Sequence, residues 1–176
     1  MNKVLKIAIT GPESTGKSQL AQELAMHYGT VFVPEYARAY IDALTRPYNR
    51  EDILEIAKGQ IREEENLTGK ARRILFCDTE LIVTKIWSEV RYGTCDPWIL
   101  QKIEENNYDL FLLCNIDLPW EEDPQREHPH MREKLFQLYY EELTERGSLF
   151  RVVSGTGVER LHNAIGLINT IPGKTC

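Results

Sequence analysis

The sequence contains few cysteines, and they form no pattern. Cys77, Cys95, Cys114 and Cys176 lie far apart, with no CxxC pair and no histidine at ligand spacing, which excludes a disulfide framework and a thiolate metal centre. Reduced, mostly buried thiols are expected. No apolar run approaches the roughly 20 residues that span a bilayer. Met1-Asn2-Lys3-Val4 leads straight into a strand pattern without an apolar export segment, so the expected location is cytoplasmic. Basic clusters are absent too: 21 Lys and Arg stand against 27 Asp and Glu, a net charge of -6. A surface that neutralises nucleic-acid phosphates is therefore not expected, whereas a local basic patch for a small anion is compatible with this balance. There is no repeat and no low-complexity tract.

What is present is one domain's worth of chain, 176 residues with 42% hydrophobic content, long enough for one sizeable core. Short apolar runs alternate with helical periods, the pattern of a parallel sheet covered on both faces. Strands are expected at Lys3 to Thr10, Thr30 to Val33, Ile74 to Cys77, Leu110 to Cys114 and Phe150 to Val153. Helices are expected over Lys17 to Tyr28, Ala37 to Leu44, from an Asn49 cap through Ile53, Ala57 and Ile61, and over Glu80 to Arg91. Further helices follow from Asp96-Pro97, over Met131 to Arg146 and over Glu159 to Asn169. The expected fold is α/β, a doubly wound five-stranded parallel sheet of P-loop kinase type, with a mobile lid at about 117–132.

The strongest motif is Gly11-Pro12-Glu13-Ser14-Thr15-Gly16-Lys17-Ser18, which matches GxxxxGK[ST] between an apolar strand and an amphipathic helix, the context a phosphate-binding loop requires. Gly11 and Gly16 permit backbone geometry in which the N–H groups of Glu13, Ser14, Thr15 and their neighbours converge on phosphate oxygens at the positive end of the helix. Lys17 is expected to reach the β- and γ-phosphates of ATP, and Ser18 to offer its hydroxyl to Mg2+.

Two carboxylates end strands. Asp78 follows Ile74-Leu75-Phe76-Cys77, where open α/β sheets place their ligands; it is a candidate for holding magnesium or polarising the acceptor, with Thr79 beside it, or else for capping the next helix. Glu35, in Pro34-Glu35-Tyr36-Ala37-Arg38, is a candidate for ribose hydroxyls and for the proton of the attacking one, or else pairs with Arg38 at a helix start.

Asp117 to His130 is polar and aperiodic, with three prolines, and reads as a surface loop long enough to move. Arg126 and Arg132 are the lid candidates for closing on phosphates, since the guanidinium fork pairs bidentately with their oxygens; the competing reading is a solvated charged loop. His128 and His130 flank Pro129 without a third ligand, so no metal site is read there. Ser154-Gly155-Thr156-Gly157 is either a close approach to a base or a plain strand-to-helix turn.

The P-loop octet, Glu35-Tyr36-Ala37-Arg38, Cys77-Asp78-Thr79-Glu80 and Leu118-Pro119-Trp120-Glu121-Glu122-Asp123-Pro124-Gln125-Arg126 together resemble the ribosylnicotinamide kinase domain of NadR-type proteins, over nearly the whole chain. The resemblance implies ATP-dependent phosphorylation of nicotinamide riboside to the mononucleotide, with Glu35 at the ribose, Asp78 near magnesium and the acceptor, and Arg126 in the lid. It also implies an aromatic partner for the cationic ring, for which Tyr36, Trp87 and Trp120 are candidates. The sequence departs from full-length members: no HxGH adenylyltransferase motif occurs, so a stand-alone kinase is expected, and Pro124 stands where the lid motif calls for glycine.

A regulatory GTPase would need glycine three residues after the strand-end aspartate and an Asn-Lys-x-Asp reader, and Asn115-Ile116-Asp117 is not one. The rival of a different class is a module that senses ATP and a pyridine nucleotide, or hydrolyses ATP, with little kinase activity. Glu35, Asp78 and the arginines favour catalysis over sensing; oligomeric state is not legible.

Overall fold

The computed structural model describes residues 3–171. Five strands form one all-parallel sheet: β1 (Leu5–Thr10), β2 (Phe32–Val33), β3 (Ile74–Asp78), β4 (Leu110–Cys114) and β5 (Phe150–Val153), in the order β2-β3-β1-β4-β5. β1 is central because it carries an almost unbroken apolar run, buried on both faces. Alternation then divides its side chains. Ile7 and Ile9 enter one core with Leu110, Leu112 and Cys114, while Ala8 enters the other with Phe111 and Leu113.

The first core is closed by α1 (Lys17–Tyr28) and α7 (Gly157–Ile168), and the second by α3 (Arg50–Thr68), α4 (Leu81–Tyr92), α5 (Pro97–Glu105) and α6 (Arg132–Glu145). Helices therefore cover both faces, as the unbroken apolar strands require. The short α2 (Tyr36–Asp42) follows β2 and buries none of its residues fully.

Local signals set the helix limits. The Asn49 side chain accepts from the Asp52 amide while the Asp52 carboxylate accepts from the Asn49 amide, a reciprocal box that starts α3. Asp96 caps α5, with Pro97 in its first turn. Gly29 ends α1 at φ 61. α4 is capped by Glu80, whose carboxylate accepts from the Ile82 amide. The capping role weighed for Asp78 thus belongs to a residue two positions later.

Most limits fall within a residue or two of expectation; the first two strands each start two residues later than expected, at Leu5 and Phe32. Cys77 and Cys114 are buried free thiols, Cys95 is half-buried, and Cys176 lies outside the described residues. Among the described residues no helix is long and apolar enough to cross a membrane.

Since Ile7 is fully buried at the sheet's centre, Ile7→Ala is expected to lower the unfolding free energy by about 2–5 kcal/mol, read as a shift in the denaturant midpoint.

Candidate functional site

The carboxyl ends of β1, β3 and β4 lie side by side, with Ile9 opposite Asp78 and Thr10 opposite Leu113. The chain leaves β1 into the P-loop. Gly11 takes φ 129, and a Cβ there would stand 3.0 Å from the Cys114 carbonyl oxygen. Only glycine lets the loop pass this close to β4. Gly16, at φ 73, is the N-cap of α1 and provides no side-chain cap, so the first amides of that helix are available to an anion.

The loop is braced from within and from afar. Thr15 Oγ1 donates to the Pro12 carbonyl at 2.8 Å, and Lys17 Nζ to the same oxygen at 2.7 Å. Arg160, only 4% exposed, reaches from α7 to donate to the carbonyls of Thr15 (2.8 Å), Asn115 (3.2 Å) and Gly155 (2.9 Å) and to Asp117 (2.7 Å). The sequence reading missed Arg160. Its signal was available: residues 160, 164 and 168 form the buried face of α7, and a charge on an apolar face needs partners.

Asp78 is 2% exposed and one carboxylate oxygen, Oδ1, has no hydrogen-bond partner. Burial pushes its carboxyl up to about 6, the neighbouring Ser18 hydroxyl opposes the rise, the Glu35 charge adds to it and Lys17 opposes it. Ser18, Lys17, Asp78 and Glu35 therefore share one small volume. Glu35 occupies the N-cap position of α2 without using its side chain as a cap and lines the cavity. Its alternative partner is engaged elsewhere: Arg38 pairs with Asp123 at 3.0 Å.

An unpartnered buried carboxylate oxygen beside a P-loop hydroxyl fits a magnesium ion that keeps most of its waters. Among the described residues no group of three or more His, Cys, Asp or Glu side chains is placed to hold a metal.

The 115–131 segment lies across the P-loop. The Ser14 hydroxyl accepts from the Glu121 amide at 2.9 Å and from Arg126 at 3.3 Å. Glu13 accepts from the amides of Glu127 and His128, each at 3.1 Å. Arg132, at the start of α6, donates to the carbonyls of Ser14 (3.0 Å) and Leu118 (2.9 Å). Burial and the adjacent Arg126 charge both lower its pKa. Two guanidinium groups are thus held close together beside the loop, an arrangement that favours an anion between or before them.

Beneath this cover lies a cavity of about 370 Å³. Its lining combines the P-loop, Gln19, Glu35 and Arg126 with an apolar and aromatic set, Ile41, Tyr48, Val83, Ile86, Trp87 and Val90. Of the three aromatic candidates, Trp87 lines it. Tyr36 is turned away, packed where a Cβ on Gly59 would meet its ring at 2.1 Å, and Trp120 is not part of the lining. Tyr48, not foreseen, stands with Trp87: the Trp87 indole N–H donates to the Tyr48 hydroxyl at 3.1 Å. Ser154 to Gly157 does not line the cavity; Gly155 is held through the Asp117 carboxylate and Arg160.

A family model described as AAA domain matches residues 6–160. The chain belongs to that family. It is 30% identical over 129 residues to the trifunctional NAD biosynthesis/regulator protein NadR of Escherichia coli, covering 70% of this chain and 31% of that protein. A solved NadR protein in complex with NR superposes with a TM-score of 0.83 at 22% identity, over 98% of this chain and 52% of the other. Deoxyadenosine kinase from M. mycoides gives a TM-score of 0.67 at 15% identity, over 95% of this chain and all of that one. The chain thus spans about half the length, or less, of the NadR proteins it matches. The NadR-type resemblance of its motifs and the P-loop kinase fold both stand.

Asp78 and Glu80 each prefer the proton when folded: burial raises Glu80 to about 7 against the Ile82 and Thr10 hydrogen bonds. A carboxyl raised on folding contributes stability below its unfolded pKa and loses it as pH rises through the folded value. The ligand-free protein should therefore lose stability between about pH 4 and pH 7. Asp78→Asn should be more stable than the parent at pH 8, by up to about 3 kcal/mol, and the gain should vanish near pH 4, as checked by denaturant titrations at both pH values.

Proposed function

We propose that this protein is an ATP-dependent kinase that phosphorylates nicotinamide riboside to nicotinamide mononucleotide. The observation that carries the proposal is the mixed lining of one cavity: a P-loop, a carboxylate and an arginine together with an aromatic-apolar wall. A triphosphate fits the first and a nucleoside base the second. Similarity to NadR proteins, one of them solved with NR, supports the choice of nucleoside.

In this reading the P-loop amides of Glu13, Ser14, Thr15 and Gly16 and the Lys17 ammonium bind the phosphates. Ser18 and Asp78 would hold magnesium, which would supply charge neutralisation at the phosphates. Glu35, which faces the cavity, hydrogen-bonds the ribose hydroxyls and takes the proton of the attacking one. The hydroxyl oxygen forms a bond to the γ-phosphorus as its bond to the bridging oxygen breaks, and ADP leaves.

Arg126 and Arg132 counter the charge on the transferred group, and the segment over the P-loop excludes water that would otherwise compete as acceptor. At the aromatic wall, the Trp87 and Tyr48 faces suit a cationic pyridinium ring, with the Glu127 carboxylate nearby.

The reading is tested by offering ATP and magnesium with nicotinamide riboside, adenosine, uridine or thymidine and following product mass. Selective nicotinamide mononucleotide is expected; ATP binding without any nucleoside product would favour a sensing module or a simple ATPase. Lys17→Ala should abolish turnover and weaken ATP binding. Arg126→Ala should lower kcat by about 100-fold or more while changing ATP affinity much less, measured by steady-state kinetics and equilibrium titration.

A further inference from the structure

We infer that Tyr48 is a positioning residue that makes closure of the Arg126 segment over the P-loop depend on what packs against the aromatic wall of the cavity. The inference rests on the kinase reading above and goes beyond it, because it assigns a coupling between the two substrates. Its basis is an unbroken line of contacts. The Trp87 indole, on α4, donates to the Tyr48 hydroxyl, and the two rings meet edge to face with centroids 4.9 Å apart. The Tyr48 hydroxyl in turn donates to the Glu127 carboxylate at 2.8 Å.

Glu127 lies between the two lid residues that hold the phosphate end. Arg126 donates to the Ser14 hydroxyl, while the amides of Glu127 and His128 donate to Glu13. One side chain therefore joins the aromatic wall of the cavity to the part of the lid that grips the P-loop. Burial pushes the Tyr48 hydroxyl up to about 12, so it keeps the proton this bond requires.

The Tyr48 to Glu127 bond is at the edge of solvent, and such a bond contributes little by itself. A ring seated against Trp87 and Tyr48 would shed that water and lower the local dielectric, strengthening the same bond. The increment favours the closed segment, and with it the contacts of Arg126 and Glu13 around bound phosphate. Linkage makes this reciprocal: the nucleoside tightens ATP by the factor by which ATP tightens the nucleoside. The Arg91 guanidinium, 6.0 Å from the Tyr48 ring centre, faces the same ring.

The test is a fluorescence titration of the full chain with a non-hydrolysable ATP analogue and magnesium, with and without saturating nicotinamide riboside. The nucleoside should tighten the analogue about tenfold in the parent protein. In Tyr48→Phe, which keeps the ring and loses only the hydroxyl, the tightening should fall to about twofold or less. Glu127→Ala should do the same, and the double variant should lose no more than either single one.

Parental tightening in Tyr48→Phe, additive losses in the double variant, or no tightening in the parent would each overturn the coupling. The kinase reading fails separately: tightening without nicotinamide mononucleotide formation would sink the reaction and leave the coupling standing.

Discussion

The site depends on the double pairing of β1. Because β1 bonds to β3 on one side and β4 on the other in parallel register, three chain segments leave the sheet at the same edge: the P-loop after Thr10, the Asp78 turn, and the loop that follows Cys114. Strand register brings the P-loop, the Asp78 carboxylate and the start of the 115–131 segment together. The same crowding forces the backbone of Gly11 against the Cys114 carbonyl. A side chain at position 11 would therefore disturb the phosphate loop and the root of the lid together, not one of them.

That edge is electrostatically costly in the ligand-free protein. Asp78 and Glu80 are almost wholly buried, Glu35 is close enough to raise the Asp78 pKa, and Arg126 and Arg132 repel one another. Thr79, between the two buried acids, takes φ 73 with a buried hydroxyl that has no partner, an unusual conformation for a β-branched residue. Each of these features lowers stability by itself. Asp78 lies close to Glu35 and Arg132 close to Arg126, like charges that a magnesium-bound polyphosphate would help to neutralise.

Legibility in the sequence followed the range of the interactions. Features set within a few residues could be read directly: the glycines and Lys17 of the P-loop, the Asn49 and Asp96 caps, the apolar strands, and the two strand-end carboxylates. Features set across the fold could not. Arg160 reaches 145 residues back to Thr15, and its environment became visible only once α7 lay beside the loop. Tyr36 has the composition of a ligand aromatic, yet the space beside Gly59 draws its ring away from the cavity. Tyr48 sits in a connection with no period to mark it, and only the packing of α4 and the lid gives it partners.

The contacts of the 115–131 segment explain why its sequence is so acidic. Among Glu121, Glu122, Asp123 and Glu127, a lone arginine looks like part of a solvated charged loop. In the fold two of those acids leave the arginine, Asp123 for Arg38 and Glu127 for Tyr48, while Glu121 stays with it, its carboxylate 3.7 Å from the Arg126 guanidinium, and gives its amide to Ser14. The side chains anchor the segment at its margins while backbone amides and Arg126 face the P-loop. Anchoring through side chains frees the amides of residues 127 and 128 to meet the Glu13 carboxylate, so the segment's acidity and its approach to a phosphate site are compatible.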